Sequence, residues 1–161
     1  MEVDPERLKA LAPKLRDHGS IPPREAVFTL LALAGEDPED LVTLSPGSSS
    51  WQLTALGHGG LTVVEVDFGS SDWWSWERDR RPEDAKVSGR WYPLSAVRSI
   101  EPASLRVWQG SFLDSGLTLN GMTGYSIHIA GREAPVVLAE DPSNREGAVR
   151  AFISTLQRQL G

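Results

Sequence analysis

The sequence predicts an α+β protein, mostly antiparallel β, with two short N-terminal helices and a C-terminal helix. Two observations predict this class. Apolar residues recur at helical spacing near both ends of the chain, and between those ends they alternate with a period of two. Glycine- and proline-rich turns divide the middle of the chain into about seven short runs of strand character. With 161 residues the chain is long enough to bury a core of its own.

The first helix is predicted over residues 4–18. Asp4 suits the N-cap and Pro5 the first helical position. The apolar stripe of this helix consists of Leu8, Leu11 and Leu15. Pro13 lies inside the span, so the segment is either one kinked helix or two pieces.

A second helix is predicted over residues 24–34, and a single helical turn over 37–41. Serine, proline and glycine dominate residues 45–50, which are interpreted as a linker. The chain is therefore predicted to divide into a helical extension, residues 1–45, and a β domain with its C-terminal helix, residues 50–161.

The strand pattern begins at residues 51–56, which alternate and lead into a glycine-rich hairpin loop at 57–60. Residues 61–68 form the predicted return strand. One of its faces carries Val64, Val66 and Phe68. The other face carries Glu65 and Asp67, and we expect it to reach solvent toward the end of the strand.

The later strands are marked by turn residues. Residues 77–89 are charged and are expected to form an exposed loop. A strand that begins at residues 90–92 and continues through residues 97–101 is predicted to end at Pro102, and Asn120-Gly121 predicts a hairpin turn.

The C-terminal helix is predicted to begin at Asp141, with Pro142 in the first helical position. Its apolar stripe consists of Val149, Phe152, Ile153, Leu156 and Leu160. We expect this stripe to cover one open end of the sheet or barrel.

One stretch resembles a known family. An aromatic pair, a proline and a leucine (residues 91–94) lead into a spaced Val-x-x-Ile-Glu ending (residues 97–101). Together with the order of strands and helix, this stretch resembles bacterial members of the pleckstrin-homology-like (PH-like) superfamily over residues 50–160. The resemblance implies a partly open barrel or sandwich, and a role in binding peptides, proteins or phosphoinositides. Phosphoinositide binders of that superfamily use basic residues around the first hairpin loop. That loop, taken as residues 57–60, has no Lys or Arg, which argues against lipid binding.

Composition narrows the partners. The chain has no cysteine, which excludes disulfides, thiolate metal sites and cysteine nucleophiles. The net charge of −6, with basic residues diluted by acids, predicts neither nucleic acid nor membrane as a partner. The acidic N-terminus lacks the apolar region of a signal peptide, and the longest apolar run, residues 30–34, cannot span a bilayer. A cytoplasmic location is expected.

The residues that usually carry chemistry are scattered. His18, His58 and His128 stand alone, so no metal site is predicted. The loop at 57–60 leads into a strand rather than a helix and is not a phosphate cradle. No cofactor and no small-molecule ligand are predicted, and whether the chain is an enzyme stays open.

The tryptophans are the most unusual feature. All six lie in the β region, and Trp51, Trp91 and Trp108 are predicted to fill the core. Three more, Trp73, Trp74 and Trp76, stand close together before Arg78. Tryptophan beside arginine is the composition of an interface hot spot. These four residues are therefore the predicted partner-binding surface.

The length of the turn after Phe68 decides which of these tryptophans face the core. A four-residue turn places Trp73 in the core and leaves Trp74 and Trp76 on the outer face. A five-residue turn exchanges the two faces. Both lengths remain open from the sequence.

The sequence therefore favours a non-enzymatic module that binds a protein partner, or a second copy of itself as a homodimer, through its tryptophan-bearing edge. One alternative is an inhibitor of the immunity or antitoxin type. Another is a sugar-binding protein or small hydrolase that combines the tryptophans with nearby carboxylates. Those carboxylates are Glu65, Asp67, Asp72, Glu77 and Asp79.

Overall fold

The computed structural model describes residues 4–17, 20–47, 50–68, 86–111, 118–139 and 147–161. The helices of this part of the chain are α1 (Pro5–Leu15), α2 (Arg24–Ala34) and α3 (Ala148–Leu160). The strands are β1 (Asp40–Gly47), β2 (Ser50–Gly57), β3 (Gly60–Asp67), β4 (Lys86–Pro93), β5 (Val97–Ser111), β6 (Thr118–Ile129) and β7 (Val136–Leu138). A 3₁₀ turn, Leu94–Ala96, joins β4 to β5.

The strands form two antiparallel sheets. The first contains four strands in the order β1-β2-β3-β4, and the second contains three in the order β5-β6-β7. Each strand pairs with its neighbour in sequence, except across the turn between β4 and β5. The predicted fold class, mostly antiparallel β with a C-terminal helix and two N-terminal helices, is confirmed.

The four-stranded sheet is covered on both faces. On one face, α1 and α2 share a core with residues of β1, β2 and β3. On the other, the second sheet and α3 share a separate core with residues of β1, β3 and β4. The result is a layer of helices, the four-stranded sheet, and a second sheet closed by α3.

Strand β3 shows why its sequence is almost continuously apolar. Val64, Val66 and Phe68 belong to the core under α1 and α2. Leu61 and Val63 face the second sheet and belong to the other core. A strand buried on both faces cannot show the simple alternation of a strand with one wet face. Its polar end begins at Glu65, which is only partly buried.

Helix α2 begins and ends where its sequence predicts, whereas α1 begins at Pro5 as predicted but ends at Leu15 rather than at residue 18. The Asp4 carboxylate accepts a hydrogen bond of 3.0 Å from the backbone N–H of Glu6, which caps α1. Pro13 lies inside α1, which is a single helix. A Cβ at Gly57 would clash with the carbonyl oxygen of Ala34, which shows that α2 lies close against the sheet.

The linker predicted at 45–50 and the helical turn at 37–41 are wrong. Strand β1 begins at Asp40 and runs to Gly47, and β2 begins at Ser50. Leu41 pairs with Ala55, and Val42 pairs with Thr54, so this strand lies at the edge of the first sheet. Residues 45–47 and Ser50 of the serine-rich stretch thus belong to paired strands, with Gly47 opposite Ser50. The division into a helical extension and a β domain stays a prediction.

Three turn signals also gave wrong strand limits. Lys86 to Gly89 belong to β4 rather than to a loop, because they pair along the free side of β3. Strand β5 continues through Pro102, where the register shifts between Pro102 and Ser104. Proline is tolerated there because β5 is an edge strand with a bulge. The pair at 120–121 lies inside β6, opposite β5.

Helix α3 begins at Ala148, later than predicted from Asp141 and Pro142, which lie outside the described residues. Gly147 has a φ of 86°, a left-handed conformation that a right-handed helix cannot pass through. Val149, Phe152, Ile153 and Leu156 of the predicted stripe are buried, but Leu160 is 42 % exposed, so the stripe is wrong at that residue.

One carboxylate joins the two helical regions. Asp40, at the start of β1, accepts a hydrogen bond of 2.9 Å from Lys14 Nζ of α1 and one of 3.3 Å from Thr155 Oγ1 of α3. It also accepts the backbone N–H of Leu41 at 2.9 Å. The edge strand β1 is therefore the place where the N-terminal helices and α3 are connected.

Candidate functional site

Helices α1 and α2 enclose an apolar groove of about 460 Å³. Its lining residues come from both helices and from the loop between them. They are Leu8, Ala12, Leu15, Ile21, Pro22, Arg24, Val27, Phe28 and Leu31. Among these described lining residues, Arg24 is the one charged side chain. The volume falls within the range of small-ligand sites and of grooves that receive a few side chains.

The groove has a fixed floor and an exposed wall. Leu15, Val27 and Leu31 are buried, and they belong to the core that α1 and α2 share with the sheet. Phe28 stands beside them with 44 % of its surface exposed. The floor is therefore held by the sheet, while an aromatic ring is presented to solvent at the rim.

The chain holds the groove open by pinning its two ends. At one end, Arg7 Nη1 lies 3.0 Å from Glu36 Oε2, which ties the start of α1 to the end of α2. At the other end, the loop between the helices closes on itself through two backbone hydrogen bonds of 3.0 and 2.8 Å between Asp17 and Ser20. The buried Asp17 carboxylate also accepts the backbone N–H of Ser45 in β1. Because both ends are anchored, the two helices keep their spacing.

Charged residues stand at the loop end of the groove. Arg24 lines it, and the exposed Arg16 follows directly after Leu15. Glu25, the next residue along α2, is exposed as well. A chain with a net charge of −6 thus carries two arginines at one end of an apolar groove.

A second, polar cleft of about 330 Å³ lies at the other end of β2, β3 and β4. Cross-strand pairing arranges six polar residues in two rows on one face of the sheet. They are Ser50, Asp67 and Lys86 in one row, and Gln52, Glu65 and Ser88 in the next. The face is therefore hydrogen-bonding rather than apolar at this end.

Arg132 pairs with Glu65, one of the residues that line this polar cleft. Its guanidinium donates to Glu65 Oε1 at 2.6 Å and lies 3.5 Å from the Tyr92 hydroxyl, so that it bridges the two sheets. Burial lowers the pKa of Arg132. The hydrogen bonds and charge attraction of Glu65 and Tyr92 outweigh that effect, so its pKa is raised overall. The guanidinium stays charged and acts as a structural tie.

The predicted partner-binding residues Trp73, Trp74, Trp76 and Arg78 lie outside the described residues. The hairpin proposed for them is wrong, whichever turn length is taken. Strand β3 pairs with β2 along one side and with β4 along the other, and on the β4 side Asp67 lies opposite Lys86. Both sides of β3 are therefore occupied. Asp72, Glu77 and Asp79 also lie outside the described residues.

The three tryptophans predicted to be core behave differently. Trp51 is buried in the core under α1 and α2, as predicted. Trp91 is 41 % exposed, and its indole lies over Gly60 on the neighbouring strand. The prediction for Trp91 is wrong because β4 is an edge strand, and at this row the helices leave its outer face open. The side chain of Trp108 lies outside the described residues.

The histidines are placed by packing rather than by metal-binding chemistry. His58 is in the hairpin turn with a φ of 51°, and its imidazole lies over Gly35, where a Cβ would clash with it. His128 Nε2 lies 3.6 Å from Glu101 Oε2 on the outer face of the second sheet. Across the residues that the structure describes, no group of three or more metal-ligating side chains comes together. His18 lies outside them.

The assignment of residues 57–60 as the first hairpin loop is wrong. The first hairpin joins β1 to β2, between Gly47 and Ser50, whereas residues 57–60 form the second. The sequence of this first turn, like that of the second, contains no Lys or Arg.

Sequence reasoning missed the groove. In the sequence of α2, one apolar face is formed at helical spacing by Ala26, Val27, Leu30, Leu31 and Ala34. Phe28 lies next to that face rather than within it. That face is wide enough to pack α2 on the sheet without Phe28. A large aromatic residue beside it therefore indicates that α2 carries more apolar surface than the sheet covers.

Comparison of the sequence with protein-family models and with curated proteins gives no match. Among solved structures, the chain is similar to the crystal structure of a pleckstrin homology domain from Shewanella amazonensis SB2B. The two share 13 % identity, the match covers 97 % of this chain and 96 % of that one, and the TM-score is 0.39. The likeness is confined to the fold and is a distant one at this TM-score. No helix in the described ranges is long and apolar enough to cross a membrane.

Proposed function

We propose that this chain is a protein-binding module and that the groove between α1 and α2 is its recognition surface. The observation that carries the proposal is the half-exposed Phe28 beside a buried apolar floor. Aromatic residues and arginine are enriched at the centres of protein interfaces, and both line this groove. An inhibitor of the immunity or antitoxin type is one form that such a module could take.

The anchoring of the groove supports this reading. Binding is stronger when the surface does not have to be ordered first, because each side chain immobilised on association costs about 0.5–1.5 kcal/mol. Here the floor is already fixed in the core, and both ends of the helix pair are tied. A partner that covers Phe28 would remove apolar surface from water without rearranging the protein.

The experiment compares two exposed apolar residues that lie on different helices. Phe28→Ser removes the aromatic wall of the groove. Leu160→Ser, near the end of α3, removes a residue of similar exposure, 42 %, away from it. Proteins captured from a lysate by each immobilised variant are quantified by mass spectrometry, with the wild-type chain as reference.

The proposal expects that specific partners are lost with Phe28→Ser and kept with Leu160→Ser. It is overturned if Phe28→Ser retains every partner that the wild-type chain captures. Circular dichroism of both variants excludes unfolding as the cause of a loss.

The tryptophan-bearing segment remains a second candidate for the same function, by binding a partner or a second copy. Its support comes from composition, since Trp73, Trp74 and Trp76 precede Arg78. The variant Trp74→Ala with Trp76→Ala tests it in the same capture experiment. Partners lost with this variant but kept with Phe28→Ser would assign recognition to the tryptophans. Light scattering at several concentrations tests self-association.

A sugar-binding role is a further candidate, favoured by the polar cleft. Glu65 and Asp67 share one face with Gln52 and Ser88, and hydrogen-bonding side chains of this kind recognise hydroxyl groups. A glycan array probed with wild type and with Asp67→Asn plus Ser88→Ala tests it. Sugar binding that is unchanged in the double variant would exclude the cleft, and no binding at all would exclude the role.

A further inference from the structure

We draw no further inference here: the strongest candidate, the apolar groove between α1 and α2 with Phe28 at its rim, belongs to the site already described, and nothing in the described part of the structure shows what covers it.

Discussion

Helices α3 and α2 both cover the sandwich, but they use their apolar residues differently. On α3 the stripe formed by Val149, Phe152, Ile153 and Leu156 is buried, and the helix closes the core between the two sheets. On α2 a similar stripe is buried against the first sheet, and Phe28 is left beside it with 44 % exposure. Helix α3 buries this stripe and leaves Leu160, near its end, 42 % exposed, whereas α2 leaves a large aromatic residue exposed in its middle.

This difference in burial assigns different roles to the two helices: the buried side chains of α3 stabilise the fold, and the exposed Phe28 of α2 is accessible to a partner. Apolar side chains that are fully buried contribute to the free energy of unfolding, whereas a half-exposed one contributes less and remains accessible to a partner. The layer of α1 and α2 also encloses a groove on its own, while α3 packs directly onto the sheets. The two helical regions are nevertheless joined through Asp40. Four measurements examine how far this division holds.

Truncation of a side chain in the core that α3 covers should have the largest effect on the free energy of unfolding. Phe152→Ala removes a fully buried ring from the core under α3 and should lower the free energy of unfolding by about 3–5 kcal/mol. Urea denaturation followed by tryptophan fluorescence measures it. A loss below about 1 kcal/mol would mean that α3 does not close the core as tightly as its burial indicates.

The second-largest loss of stability is expected where α2 lies close to the sheet. Gly57→Ala places a methyl group against the backbone carbonyl of Ala34, so either α2 or the β2–β3 hairpin must shift. We expect a loss of about 1–3 kcal/mol in the same denaturation experiment. Gly59→Asn serves as the control, since no atom lies within 4 Å of a Cβ there and asparagine tolerates positive φ. Equal losses for both variants would contradict the packing explanation.

The ion pair between Lys14 and Asp40, which connects the two helical regions, should contribute less to the free energy of unfolding than either packing contact. A double-mutant cycle with Lys14→Ala and Asp40→Ala isolates the coupling energy of the pair. Because the Lys14 side chain is half exposed, we expect a coupling energy of about 0.5–1 kcal/mol that decreases as salt is added. A coupling energy that stays constant from low to high ionic strength would argue against an ion pair as its origin.

Truncation of Phe28, the exposed wall of the groove, should have the smallest effect on the free energy of unfolding. Phe28→Ser should change the free energy of unfolding by less than about 0.5 kcal/mol, because the side chain is half exposed and the floor beneath it is held by other residues. Thermal and urea denaturation against wild type measure the difference. A loss comparable to that of Phe152→Ala would place Phe28 in the core and remove the contrast between α2 and α3.

The accuracy of the sequence predictions differed from element to element for physical reasons. The cap of α1 and the stripe of α3 depend on neighbouring residues; the cap was predicted correctly, and so was the stripe except at Leu160. Turn signals were misleading where pairing overrode them. Pro102 was tolerated at a bulge, and the pair at 120–121 was absorbed into a long strand opposite β5. In the candidate site, the apolar character of α2 could be read from the sequence, whereas the exposure of Phe28 and Trp91 could not.

By itself, the sequence determined the class of fold, the two N-terminal helices, the C-terminal stripe and the hairpin between β2 and β3. These follow from local spacing, because helix and strand periodicities are properties of neighbouring residues. Only the tertiary structure decided that β3 is buried on both faces, that β4 occupies its free side, and that α1 and α2 leave a groove between them. Those features depend on which elements pack together, and such packing brings into contact residues that are far apart in the chain.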